Sequence, residues 1–240
     1  MERKPILAVE ELNAWYGRSH ILQGVSFHVM PGEVVSLIGR NGAGKTTSMK
    51  SIMGLLDRTT GHVEFNGVSL LEKQAHERFQ HGLAFVFEER RIVPGLSVME
   101  NIELGVMASP EGRKRTKEVV EEIAETFPRL KERLTQEAVT MSGGEQQMLA
   151  IARAMAARPQ MIMLDEPSEG IMPKLVDEMF EYFEVLKKQG VTILLVEQSV
   201  EHALSISDRA YIMDQGEIVH EAPAKDLLND AAIQERYCSV

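Results

Sequence analysis

The sequence predicts an α/β protein in which helices wrap a parallel sheet, an antiparallel β segment comes first, and a helical stretch interrupts the sheet. Three observations predict it. Continuous apolar runs at 34–38, 161–164 and 191–196 carry the two-sided hydrophobicity of buried parallel strands. Helical periodicity at about 173–189 separates the last two runs, the strand–helix alternation expected of a parallel sheet. Ahead of them, β-rich runs at 6–9, 12–16 and 21–29 are punctuated by Gly17 and Pro31-Gly32 and read as antiparallel strands.

The remaining elements follow in chain order. After 34–38 comes a Gly-rich loop and a helix with Met49, Ile52, Met53 and Leu56 on one face. Asn66-Gly67 after 63–65 marks a hairpin turn. Residues 83–87 read as a strand, and 97–158 as helical, with 112–127 amphipathic on Val119, Val120, Ile123 and Phe127. Residues 211–213 and 218–219 flank Gln215-Gly216 as another hairpin, and the tail beyond Pro223 reads as helical. No repeat or low-complexity linker divides the chain, so it reads as one domain with two interleaved parts.

Composition bounds the function. The 240 residues suit one large α/β domain with an appended lobe. Hydrophobic residues make up 44% and charged ones 26%, which excludes a disordered, collagen-like or disulfide-scaffold chain. With 36 acidic against 26 basic residues and no basic stripe, a nucleic-acid surface is disfavoured. The single cysteine, Cys238, cannot form an internal disulfide, which points to a reducing, cytoplasmic compartment. The apolar run at 6–9 is too short for a signal peptide, and none approaches the roughly 18 residues of a membrane span. A soluble protein is expected, with any membrane role exercised through a partner.

GRNGAGKT at 39–46 follows a strand and opens a helix, the context in which G-x-x-x-x-G-K-[ST] holds phosphates. Gly39, Gly42 and Gly44 let the loop curl so that its N–H groups, with those of Arg40, Asn41, Ala43 and Thr47, surround the anion at the positive end of the helix. Lys45 would neutralise the β- and γ-phosphates, and the Thr46 hydroxyl would ligate Mg²⁺. MIMLDEP at 161–167 then delivers two carboxylates to a strand's C-terminal end, where α/β ligand sites sit. Asp165 would hold Mg²⁺ through water, and Glu166 would orient or deprotonate the attacking water. An aromatic such as Tyr16 is, on its own, more often core than a ring-stacking platform.

MSGGEQQ at 141–147 opens a helix whose Ser142, Gly143 and Gly144 form a well-capped N-terminus suited to phosphate. With this motif, the loop at 39–46 and Asp165-Glu166 in order, the chain resembles the ABC ATPases over essentially its whole length. The resemblance implies a RecA-like phosphate-loop NTPase core with a β-subdomain at 1–88 and 159–240, and a helical lobe at 89–158. It implies a dimer in which Ser142, Gly143, Gly144 and Glu145 of one subunit press on the γ-phosphate of ATP held by the other. It assigns Tyr16 to the adenine ring. Segments 85–102, 142–154, 165–176 and 193–204 are similar to the ATPases of branched-chain amino acid importers, with other amino acids, amides or urea as rival solutes, and there Glu and Gln often replace the commoner Gln and His. On that likeness Glu88 senses Mg²⁺ and the attacking water, and Gln198 contacts the γ-phosphate without titrating near neutral pH.

Membrane permease subunits, and indirectly an extracytoplasmic solute-binding protein, are the implied partners, at the inner face of the membrane. The permease would dock near 88–102, with Arg90, Arg91, Ile92, Val93 and Leu96 lining the groove. Phe87, Glu169 and Met172 depart from the commoner residues. The alternative is a soluble ABC ATPase in DNA repair, translation or cluster assembly; repair members carry long coiled-coil insertions and translation members two ATPase halves, and these 240 residues show neither. A phosphate-loop kinase or GTPase is disfavoured by the SGGE motif and the lack of N-K-x-D.

Overall fold

The computed structural model describes residues 4–108 and 114–237. Cys238 and the first two residues of the expected 112–127 helix lie outside these. Strand β3 (Val34–Ile38) is buried at every position because neighbours cover it on both sides and both faces. It belongs to a six-stranded sheet of order β10 (Glu217–Pro223), β9 (Arg209–Asp214), β3, β8 (Thr192–Val196), β7 (Met161–Asp165), β6 (Leu83–Val86). All pairs are parallel except β9 with β10. Alternate side chains serve different cores: Ile162, Leu164, Ile193 and Leu195 face one cluster, and Met161, Met163, Leu194 and Val196 the other.

The second cluster is closed by an antiparallel sheet of order β2 (Ser19–Val29), β1 (Leu7–Tyr16), β4 (Arg58–Phe65), β5 (Val68–Ser69). The sequence shows two runs at 6–9 and 12–16, whereas the structure joins them in one strand. The apolar alternation changes phase between Val9 and Leu12, and a register shift with Glu11 at φ 49° absorbs the extra residue. Leu7, Val9, Leu12 and Ala14 consequently all point inward.

Helix α1 (Lys45–Met53) ends at Gly54 in the left-handed region, so Leu56, expected on its face, lies beyond it and packs against the core as loop. The buried Arg78, on the short helix α2 (Ala75–Gln80) that periodicity did not reveal, donates to Ser51 O at 3.0 Å and Ile52 O at 2.6 Å. A cation thus satisfies carbonyls at the negative end of α1 and anchors the helix that opens with Lys45.

Between β6 and β7 the chain forms α3 (Val98–Ala108), α4 (Thr116–Thr126), α5 (Pro128–Lys131), a single 3-10 turn (Ala138–Thr140) and α6 (Gly143–Ala156). Gly105 lets α3 and α6 approach closely, since a Cβ there would meet Arg153 O at 1.9 Å. The chain ends through α7 (Pro173–Lys188), α8 (Val200–Ile206), α9 (Ala224–Leu228) and α10 (Ala231–Tyr237). No helix among the described residues is long and apolar enough to cross a membrane.

Candidate nucleotide site

Parallel strands in aligned register end together, and here that edge gathers the chemistry. Leu37 pairs with Val196, and Asp165 with Val196, so the loop after β3 and the residues after β7 and β8 emerge side by side. Arg40, Asn41 and Gly42 form the exposed crest of the loop, while Ala43, Gly44 and Thr47 are buried. Lys45 is 4% exposed and its Nζ donates to Gly39 O at 2.9 Å and Arg40 O at 3.2 Å. The N-terminus of α1 has no side-chain cap, which leaves its first amides to an incoming anion.

The turn between β9 and β10 clamps this loop to the first hairpin. Gly216 N donates to Ala43 O at 2.9 Å, and Gln23 N donates to Gly216 O at 2.8 Å. At the tip of the β1–β2 hairpin the two aromatics differ. Trp15 stacks on His20 with centroids 4.5 Å apart beneath the Arg58 guanidinium, whereas Tyr16 is 48% exposed. Tyr16 is therefore not the core residue that an aromatic in a strand usually is. A Cβ on Gly216, at φ 85°, would lie 2.0 Å from Ile21 O. Gly216→Ala is expected to destabilise the protein by about 1–3 kcal/mol and weaken nucleotide binding, read by thermal melting and a nucleotide titration.

Thr46 Oγ1 donates to Asp165 Oδ1 at 2.8 Å, so two of the three residues expected at Mg²⁺, the third being Glu88, are in contact. Asp165 is 2% exposed, and burial pushes its carboxyl up to about 6. The Thr46 hydroxyl opposes that rise, while Glu166 and Glu88 add to it. Glu88 lies above the usual carboxylate range through desolvation first, then Glu166, Glu169 and Glu89. Among the described residues no three His, Cys, Asp or Glu side chains could hold an ion by themselves. The hard oxygens of Thr46 and Asp165, within a field of carboxylates, fit Mg²⁺ arriving with phosphate oxygens.

The folded Asp165 carboxyl sits above its unfolded value, so the fold takes up a proton between about pH 4 and 6. That contribution is complete below pH 4 and is lost as pH rises through 6. Asp165→Asn, which keeps an oxygen for Thr46, should match wild-type stability near pH 4 and exceed it by about 1–3 kcal/mol at pH 8 without nucleotide. Melting curves across that range check it.

Glu166 adopts φ 46°, and its N–H donates to Val196 O at 2.8 Å. Its Oε2 accepts from Gln198 Nε2 at 2.6 Å, so two of the three expected catalytic side chains, the third being Glu88, touch. The sequence reading passed over the residue between them and the strand. Glu197 is 2% exposed and accepts backbone N–H groups from Gln198, Ser199 and Ser168. Its carboxyl is raised by burial, with the Ser168 side chain first and then those backbone hydrogen bonds opposing the rise. An acid placed directly after five buried strand residues was the available signal.

At the lobe, Ser142 and Glu145 close a reciprocal cap on α6. Ser142 N and Oγ donate to Glu145 Oε2 at 3.0 and 2.8 Å, and Arg133 pairs with the same carboxylate through Oε1 at 3.1 Å. Glu145 is thereby turned into the cap, leaving Ser142 exposed and Gly143 partly so. A Cβ at Gly143 would lie 2.8 Å from Arg90 Nη1, and one at Gly144 would meet Leu175 at 2.7 Å. A side chain at either position would have to displace a neighbour, the Arg90 guanidinium at Gly143 and the Leu175 side chain at Gly144. Phe87, the unexpected residue before Glu88, packs on Phe85 and carries the Arg91 guanidinium 3.5 Å above its ring.

A sheet edge with this loop, lysine and carboxylate pair suits a nucleoside triphosphate, and the inserted lobe with its capped SGGE helix narrows the class to ATP-binding cassettes. The family model described as ABC transporter matches residues 22–169, and the chain belongs to that family. It is an ATPase of a transporter. It is 38% identical to the high-affinity branched-chain amino acid transport ATP-binding protein BraG of Pseudomonas aeruginosa, over 97% of this chain and 99% of that one. It is 35% identical to the ribose import ATP-binding protein RbsA of Bacillus subtilis, over 89% of this chain but 44% of that one. The dimeric post-hydrolysis structure of an ATP-binding cassette bound to ADP and Pi matches with a TM-score of 0.76 and 26% identity, covering 91% and 98% of the two chains.

Proposed function

We propose that this chain energises an importer of branched-chain amino acids by closing, as one of two cassettes, around two molecules of Mg-ATP. The observation that carries the catalytic part is the Glu166–Gln198 contact beside the Thr46–Asp165 contact on one sheet edge. In this reading the loop at 39–47 cradles the phosphates and Lys45 turns from its own carbonyls to the β- and γ-oxygens. Thr46 and Asp165, with Glu88 nearby, would hold Mg²⁺, which would supply positive charge to the triphosphate. Glu166 takes the proton of the attacking water, and Gln198 holds Glu166 and meets the γ-phosphate as a neutral donor. Tyr16 stacks on adenine.

The exposed Ser142 turn, with Gly143 and Gly144 behind it, opens α6 of the lobe while the phosphate loop belongs to the core, which supports its use on a second cassette's ATP. Glu145 contributes by holding that turn. The division into a core at 1–88 and 159–240 and a lobe at 89–158 lets the cap move as a unit.

The permease would dock in the groove between core and lobe, lined by Phe79, Phe85, Phe87, Arg90, Arg91 and Leu104. Of the five residues expected there, Arg90 and Arg91 line it, while Ile92, Val93 and Leu96 do not; Ile92 packs against the core. Docking there would place the protein on the inner membrane face, fed indirectly by an extracytoplasmic solute-binding protein. The solute rests on the likeness to BraG. Uptake of labelled leucine, isoleucine, valine and ribose by cells lacking the chain tests it. Loss of the three amino acids alone supports the reading, and loss of ribose alone refutes it.

A further inference from the structure

Glu197 lies between two loops that the reaction uses together. It follows β8 directly, and its oxygens divide between the loops. Oε1 accepts Gln198 N–H at 2.8 Å and Ser199 N–H at 3.4 Å, on the segment that presents Gln198. Oε2 accepts Ser168 N–H at 3.3 Å, just past Glu166 on the segment leading to the 65%-exposed Met172. With Gln198 Nε2 on Glu166 Oε2, these bonds close a ring through Glu166, Ser168, Glu197 and Gln198. Two acceptor oxygens are needed, because an N–H group faces each one, and only a carboxylate accepts on both.

We propose that Glu197 is a positioning residue for ATP cleavage: it fixes Gln198 against Glu166 and ties that pair to the 168–172 loop. When Gln198 shifts to meet a γ-phosphate, the shared carboxylate carries the movement to Ser168 and on to the exposed end of the loop. The inference rests on the role given above to Gln198. It also explains why a charged side chain occupies a site where burial disfavours charge. Three backbone donors compensate it, and removing the acceptor from either side leaves a donor unpaired.

Glu197→Gln keeps the shape but sets an amide donor against one of the loops. Steady-state ATPase kinetics of the full chain, alone and in a cycle with Gln198→Ala, test the proposal. Glu197→Gln should lower kcat on the order of tenfold to a hundredfold, with the ATP KM within about twofold and the Tm within about 3 °C. On the Gln198→Ala background it should lower kcat no further, because both changes break one linkage. Glu197→Asp, which retains charge but is too short to reach Ser168, should behave likewise. A wild-type kcat in Glu197→Gln, a raised KM, or losses that multiply with Gln198→Ala would overturn the proposal. So would failure of both Glu197 variants to fold, which would make the carboxylate a structural group only. A Gln198→Ala chain of wild-type speed would instead overturn the role of Gln198, and this inference with it.

Discussion

Glu166→Gln is expected to bind ATP with near wild-type affinity and to cleave it at least about a hundredfold more slowly. The substitution is isosteric. It keeps an acceptor for Gln198 Nε2 and leaves the backbone bond to Val196 untouched, so the edge of the sheet should not rearrange. What disappears is the group able to take a proton from water beside the γ-phosphate. With cleavage blocked, ATP remains in place and the closed pair of cassettes accumulates. Rapid-quench turnover together with mass measurement in ATP reads both effects. A variant that turns over at wild-type speed would remove Glu166 from the chemistry.

Lys45→Ala acts at the other end of the reaction. The Lys45 ammonium is almost wholly buried and held by the carbonyls of Gly39 and Arg40, so it is poised over the loop with few alternatives. Removing it deletes a charge-assisted contact to phosphate, and a loss of about 2–3 kcal/mol, or roughly a hundredfold in ATP affinity, is expected. The fold should survive, because α1 is anchored by Arg78 at its far end. Equilibrium binding of a non-hydrolysable ATP analogue measures it. Unchanged affinity would mean that the lysine does not reach the phosphates.

These two effects differ in kind because Lys45 is proposed to meet the phosphates and Glu166 the attacking water, yet both residues lie in local sequence patterns. The phosphate loop is legible from the primary structure: its glycines, lysine and threonine are contiguous, and the flanking strand and helix show their own periodicities. The same holds for Asp165-Glu166 at the end of an apolar run, and for the capped start of α6. Residues that act through tertiary placement were harder to read. Nothing local joins Gln198 to Glu166, 32 residues apart, and a family resemblance alone raised it. Glu197 carried no motif at all; its meaning depends on the Ser168 N–H from a different strand's end.

Physical causes also account for the elements the pattern missed or misplaced. Helices α2 and α8, of 6 and 7 residues, are too short to show a stripe. The bulge at Glu11 breaks the period-2 alternation of β1 into two apparent strands. Leu56 matches the helical period of α1, yet Gly54 has already turned the chain. In the 88–102 segment, charge and apolarity alone could not say that Arg90 and Arg91 face the groove while Ile92 turns to the core.

Acid dependence offers a separate check on the switch residue. A Gln at 198 has no proton to exchange near neutrality, so any inflection near pH 6 in the ATPase profile belongs to other groups. Such an inflection should persist in Gln198→Ala.

The central claim is that each ATP site is completed by a second cassette. Specific ATPase activity followed through a dilution series, with mass measured at every point, tests it most directly. The account predicts that activity per chain falls as the pair separates into 26.9 kDa chains, the total rate approaching a second-order dependence on concentration at the dilute end. Where the mate is a paralogue, titrating it back should restore the rate. Undiminished turnover by a chain that is demonstrably alone would contradict the account.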